Sequence, residues 1–341
     1  MLQLRTCLVG LAIIVSMTYV STATAKDGKI RVGIVGCDTS HVIAFTKLIN
    51  DPKATGPIAD CEIVAAFPGG SPDLPDSKNR LDGFVKQLRE QGIKIVDSLQ
   101  ELSDQTDAIL IESVDGRPHL EQFRAVAHGK PVFIDKPTAV SLADIMTIFK
   151  IADETKTPVF SSSSLRFCKE VQEVVDSKAI GKMIGCETIG PLSMQPHHPD
   201  LFFYGIHGVE PLFTLMGTGC ESVQRTDSPL STVVVGKWKD GRIGSYRGLK
   251  KGHSYALTAV GEKGVVQKSG YSGYEELVNE ICTFFKTHDA PFNRNETIEI
   301  YAFMEAADES KHNGGARVPL SSIIKRAEEQ AAKSSSNSGG L

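Results

Sequence analysis

One tryptophan in 341 residues, no CxxC pair and no surplus of basic side chains are what this sequence goes without. Lys and Arg number 37 against 41 Asp and Glu, a formal net charge of -4. A nucleic-acid binder would carry a basic excess, so nucleic acid is not an expected partner. The seven cysteines stand at 7, 37, 61, 168, 186, 220 and 282 without paired spacing, which excludes a disulfide-stapled miniature and a zinc ribbon. The apolar run from Leu8 to Val20 falls short of the ~20 residues a membrane-spanning helix needs. What is present is 41% hydrophobic and 23% charged residues, too apolar for bulk disorder and long enough for about two domains. The expected class is a mid-sized α/β or α+β enzyme or small-molecule binder.

Residues 1–25 read as an address. Arg5 precedes the apolar run and Ala23-Thr24-Ala25 follows it, the charged, apolar and small-residue layout of a secretory signal peptide. Cleavage after Ala25 is expected, giving an exported protein, periplasmic or extracellular, with no membrane attachment.

From Lys29 strands and helices alternate. Lys29 to Gly36 is an apolar strand ending in glycine, and Val42, Ile43, Phe45, Leu48 and Ile49 set an apolar stripe on a helix over 41–50. Strands follow at 62–67, 93–96, 107–111 and 131–134, with helices near 77–91 and 120–127. This alternation predicts an α/β fold, a Rossmann-like doubly wound parallel sheet over 28–162. Beyond it, strands at 182–190, 231–239, 242–250 and 254–260 are joined by tight turns such as Lys239-Asp240-Gly241. They predict a largely antiparallel open sheet, with helices at 205–216, 273–287 and 297–311 on one face. This second, α+β domain spans 163–325, and the serine-rich tail 326–341 is expected to be disordered. An open sheet face also predicts a homo-oligomer.

The turn Gly36-Cys37-Asp38-Thr39-Ser40-His41 lies where the dinucleotide fingerprint G-x-G-x-x-G joins a first strand to a first helix. Only the first glycine is kept. Asp38 stands at the second position, where pyrophosphate approaches the backbone, and His41 at the third. An aspartate there can itself satisfy the leading N–H groups of the helix. Two outcomes stay open: a self-capped helix without phosphate, or a phosphate held with help from His41. After the second strand, Asp73 is the nearest carboxylate to a ribose, so NAD against NADP also stays open.

Lys136 follows the strand 131–134 at the sheet edge where ligands of open α/β sheets lie, and its ammonium suits a developing alkoxide. His197-His198-Pro199-Asp200 with His207 has ligands enough for zinc, but no HExxH or comparable spacing is present, and no metal is expected. Ser161 to Ser164 lacks a GxSxG elbow and is expected to line the interdomain cleft or end the sheet.

Several of these marks fall together: the run Gly129-Lys130-Pro131-Val132-Phe133-Ile134-Asp135-Lys136-Pro137, His119 ahead of it, Arg166-Phe167, and Glu299-Ile300-Tyr301 through Glu309-Ser310 with Gly314-Gly315. In this order and spacing the chain resembles the family of glucose–fructose oxidoreductase and inositol dehydrogenase (Gfo/Idh/MocA) over roughly residues 28–320. The resemblance implies an NAD(P)-dependent oxidoreductase acting on a carbohydrate or polyol hydroxyl by hydride transfer. Lys136 and His207 would be catalytic. Gly36, Cys37, Asp38, Thr39, Ser40, His41, His119 and Lys136 would hold NAD or NADP. Arg166, Asp200, Tyr204 and Glu210 would lie near substrate. One departure stands out: the family's aspartate four residues before the histidine is Phe203 here, and Asp200 or Glu210 is expected to compensate in part. The alternative is an exported protein of the same fold, catalytically degenerate and without cofactor, that binds a sugar or other small ligand.

Overall fold

Short aliphatic runs build the first sheet. Ile30–Val35 (β1), Cys61–Phe67 (β2), Lys94–Ile95 (β3), Ala108–Ile111 (β4), Val132–Asp135 (β5) and Val159–Ser162 (β6) pair in the order β3-β2-β1-β4-β5-β6. All these pairings are parallel. β4 and β5 are buried at every position, as strands covered on both faces must be. This computed structural model describes residues 28–337, with side chains to Lys333; the signal-peptide reading of 1–25 lies outside them. Strand order reverses between β1 and β4, which places the ligand crevice at their C-terminal ends. No helix of the described residues is long and apolar enough to cross a membrane.

The second sheet comprises Met183–Pro191 (β7), Cys220–Asp227 (β8), Ser231–Trp238 (β9), Ile243–Leu249 (β10), Ala256–Gly261 (β11), Gly264–Ser269 (β12) and Val318–Pro319 (β13), in the order β12-β11-β7-β10-β9-β8-β13. It is antiparallel except where β7 meets β10. The helices Ile206–Met216 and Arg294–His312 cover one face. Val235, Ile243 and Val260 remain exposed on the strands.

Three expectations are corrected. The helix expected over 77–91 is two, Pro75–Lys78 and Leu81–Glu90. The helix Glu275–Thr287 does not lie on the second sheet: Leu277, Ile281 and Phe284 join Val32, Ile34, Val42 and Phe45 in the core of the first domain. The tail expected to be disordered from 326 is helical to Asn337, part of the helix Leu320–Asn337. Leu320, Ile323, Ala327 and Ala331 are buried at three- and four-residue spacing and dock this helix on Leu142–Thr155. An apolar stripe this narrow is diluted in a composition average but is sufficient to seat a helix.

Candidate active site

Adjacent strand ends build the floor. Gly36 follows β1 with φ +86, and a Cβ there would lie 2.3 Å from Ser113 Oγ, in the loop after β4. That close approach requires glycine whatever the turn binds. Cys37 is fully buried, and burial pushes its thiol up to about 12. Asp38, also fully buried, turns sideways, and its Oδ1 accepts from the Val114 N–H at 2.9 Å. Of the two outcomes left open by the sequence, the aspartate self-cap is not formed. Thr39 caps the helix Ser40–Ile49, its Oγ1 accepting from the His41 N–H at 3.4 Å. Ser40 is exposed and lines the cleft with Thr39 and His41.

His41 reaches down to β5, its Nδ1 2.8 Å from Asp135 Oδ2. Burial would raise the Asp135 carboxyl, but the contact with His41, followed by Lys136, holds it below the usual carboxylate range. Glu112, directly after β4, is fully buried, and neither of its carboxylate oxygens is hydrogen-bonded among the described residues. Burial and then Asp135 push it well above the usual range.

Lys136 leaves β5 only 5% exposed. Its ammonium lies 5.6 Å from the ring centre of Phe203 and 5.9 Å from that of Tyr204. Burial lowers its pKa, opposed by Asp135 and Glu112. His207, in the first turn of Ile206–Met216, sets its Nδ1 2.7 Å from Ser163 Oγ. Burial, reinforced by the Lys136 charge, keeps this imidazole neutral well below its ordinary pKa. Lys136 and His207 thus share one cleft of about 200 Å³ with Tyr204, His253, Tyr255, Tyr271 and Tyr274. Tyr255, Tyr271, Tyr274, His253 and Glu112 were not legible as site residues, and Ser163 was legible only as part of a serine run. For Ser163 the signal was the serine run itself, which does end β6 and face the cleft.

The loop after β2 is the unexpected element. The Cys37 N–H donates to the Pro68 carbonyl at 2.7 Å. A Cβ on Gly69 would lie 3.2 Å from Gly36 Cα and 3.7 Å from Gln122 Nε2, on the helix His119–Val126 that follows β4. The chain thus crosses from β2 over β1 toward β4. Arg117 grips Asp73 at 2.7 and 2.8 Å and Asp115 at 2.6 Å. Leu74 is fully buried and clusters with Val114 and Phe203. From the second domain, Gln195 Nε2 donates to Asp76 Oδ2 at 3.0 Å, and the Gly116 N–H donates to His198 Nε2 at 3.3 Å. Residues 68–78 form a strap over the crevice.

The other expected residues are placed elsewhere. His119 is fully buried, its ring nitrogens 2.9 Å from the Ser113 carbonyl and 3.3 Å from that of Thr138; it ties two strand-end loops together and has no open face for a cofactor. Arg166 is buried against Glu210 at 2.7 Å and Glu296 at 2.6 Å, and stacks 3.9 Å over Phe292. Both Arg166 and Glu210 are therefore consumed in joining elements, not free for substrate. Asp200 pairs with Arg225 at 2.7 Å and Lys311 at 2.6 Å. Neither it nor Glu210 compensates at the position of Phe203. Of the four expected substrate residues, Tyr204 alone lines the cleft. The zinc rival dissolves as well, since His198, Asp200 and His207 bind separate partners.

A parallel sheet with this strand order, an interdomain cleft and a second open sheet define a two-domain α/β architecture with a Rossmann-like first sheet. Residues 30–163 match the Gfo/Idh/MocA family, described as an oxidoreductase family with an NAD-binding Rossmann fold. An uncharacterized oxidoreductase of Streptococcus pneumoniae is 28% identical over 104 residues. That match spans 29% of this chain and 28% of the relative, well under two thirds of its length. The whole fold is shared with a probable dehydrogenase from Thermotoga maritima (TM-score 0.70, 18% identity, 86% of this chain and 100% of that one). It is shared too with the Lactobacillus casei myo-inositol dehydrogenase solved with NAD(H) and myo-inositol (TM-score 0.67, 15% identity, 85% and 96% covered).

The NAD implied by the family can be tested against these residues. A dinucleotide would lay its diphosphate at the first helix and its adenosine toward the end of β2. The cleft end, at Thr39, Ser40, Lys136 and His207, is open. The adenosine end is filled by the strap, and the Cys37 N–H is already spent on Pro68. In this conformation the crevice does not fit a dinucleotide.

Proposed function

We propose that the protein is an oxidoreductase of this family acting on a hydroxyl of a polyol or carbohydrate in the cleft between its domains. The convergence of Lys136 and His207 in one aromatic-walled cavity carries the reading. Lys136 would donate to the substrate oxygen and stabilise negative charge developing there. His207, kept neutral by burial, would take the hydroxyl proton as general base, with Ser163 fixing its ring. Tyrosine faces would pack against the C–H surface of a sugar ring while their hydroxyls meet its own. NAD or NADP, the acceptor the family implies, would enter only with the strap displaced.

The strap favours a second reading, a protein of the same fold that holds a sugar or other small ligand without redox turnover. Heating purified protein and running mass spectrometry on the supernatant separates the two. A stoichiometric nicotinamide dinucleotide supports the first. Its absence, together with no NADH or NADPH binding by fluorescence, leaves the second. The reading also includes export after cleavage at Ala25, which N-terminal sequencing of the mature protein tests, and a homo-oligomer formed through the open face of the second sheet, which sedimentation tests.

A further inference from the structure

Beneath the cleft floor three side chains from separate elements converge. His41 comes from the first turn of Ser40–Ile49, Glu112 from the end of β4 and Asp135 from the end of β5. One ligand atom of each lies within 4.8 Å of the other two. Exposure is 8%, 0% and 1% in that order. Among the described residues both oxygens of Glu112 and the Oδ1 of Asp135 lack any hydrogen-bond partner. A buried carboxylate with no partner is costly, and three orphaned oxygens in one place ask for something between them. The backbone holds Glu112 in position, since its N–H donates to the Val35 carbonyl at 2.7 Å.

We propose that His41, Glu112 and Asp135 bind one divalent transition-metal ion. One imidazole nitrogen and two carboxylate oxygens form a borderline-to-hard donor set that suits zinc or manganese. Atoms bound to one such ion at about 2.1 Å can be no more than about 4.2 Å apart, so a small rotation of Glu112 closes the site. Two carboxylates balance the ion, and the Lys136 ammonium, 5.6 Å from the ring centre of Phe203, attracts both of them and competes with the ion for their charge. His41 lies at the cleft wall, which gives the ion a path in. None of the four residues weighed from the sequence as a zinc set is among these ligands, and of the four only His207 lines the same cleft.

The test uses full-length mature protein stripped with a chelator, then given Zn²⁺ or Mn²⁺ alone. Metal per chain is read by mass spectrometry after gel filtration, and the melting temperature is read alongside. One ion per wild-type chain is expected, with a raised melting temperature. Glu112→Gln should bind at least about tenfold more weakly while its metal-free form melts no lower than wild type. Should Glu112→Gln fail to fold, His41→Gln takes its place. Metal below about a tenth of an ion per chain with no thermal shift, or equal binding by wild type and variant, overturns the proposal. Neither substrate nor nicotinamide enters the assay, so its outcome is separate from that of the redox reading.

Discussion

If the strap is what keeps a dinucleotide out, loosening it should let one in. Leu74 is the place to cut, because it is fully buried between Val114 of the first domain and Phe203 of the second. Leu74→Ala deletes buried carbons worth roughly 0.8 kcal/mol per methylene, about 2 kcal/mol in all. At about 1.4 kcal/mol per factor of ten, the open form becomes some thirtyfold more populated. A ligand that binds only the open form gains the same factor in apparent affinity. NADH fluorescence titration of wild type and variant measures it, with hydrogen exchange over 68–78 to show that the strap has loosened. Arg117→Gln, which releases Asp73 and Asp115 together, should act in the same direction. Accelerated exchange in the strap with no change in NADH affinity would refute the gating argument, and the second reading of function would then stand.

Three further outcomes follow from the geometry. Lys136→Met and His207→Ala should each abolish polyol-dependent reduction of NAD⁺ while both variants stay folded. Lys136→Met should melt no lower than wild type, since it removes a buried ammonium; surviving turnover in either variant removes that residue from the chemistry. Burial depresses the pKa of both His119 and His207, so the unfolded chain takes up more protons once pH falls through about 6.5. The stability these neutral rings contribute is present above that pH and lost below it. Between pH 7 and 5 His119→Gln should lose less melting temperature than wild type, and equal slopes would contradict the burial of a neutral His119, whatever the opposing contribution of buried carboxyls such as Glu112. Ile323→Ala should cost about 2–5 kcal/mol because the side chain is fully buried, whereas Lys325→Ala on the exposed side should be near neutral. Equal denaturation midpoints would mean that the last helix does not dock.

The first sheet was readable because β1, β4 and β5 are short apolar runs bounded by glycine, proline or polar residues, and such runs have few alternatives to a covered parallel strand. Lys136 was readable because it sits at a strand end, a position that a sequence fixes locally, and His207 through the resemblance to a family that carries a histidine there. Partner choice is different in kind. Asp135 bonds His41 across 94 residues of chain, and Arg117 bonds Asp73 across 44; no spacing rule reaches that far. Asp38 looked like a helix cap because caps are local, yet a backbone N–H on the neighbouring strand's loop, 76 residues on, took its carboxylate, leaving the cap to Thr39. Glu112, one residue past the strand 107–111, carries no signal of its own in the sequence, and only the folded sheet reveals that Asp135 comes to lie beside it. The strap is the same lesson at larger scale. Pro68-Gly69-Gly70-Ser71-Pro72 carries every mark of a solvent-facing loop, and its placement is decided by Leu74 and by ion pairs to residues after β4, none of which the loop's own composition encodes. Function in this chain therefore turns on the contacts sequence reads worst. The residues that could act on a hydroxyl were visible from a strand end and from a family resemblance, while those that decide whether a cofactor reaches them became visible only once strand ends far apart in sequence were set side by side.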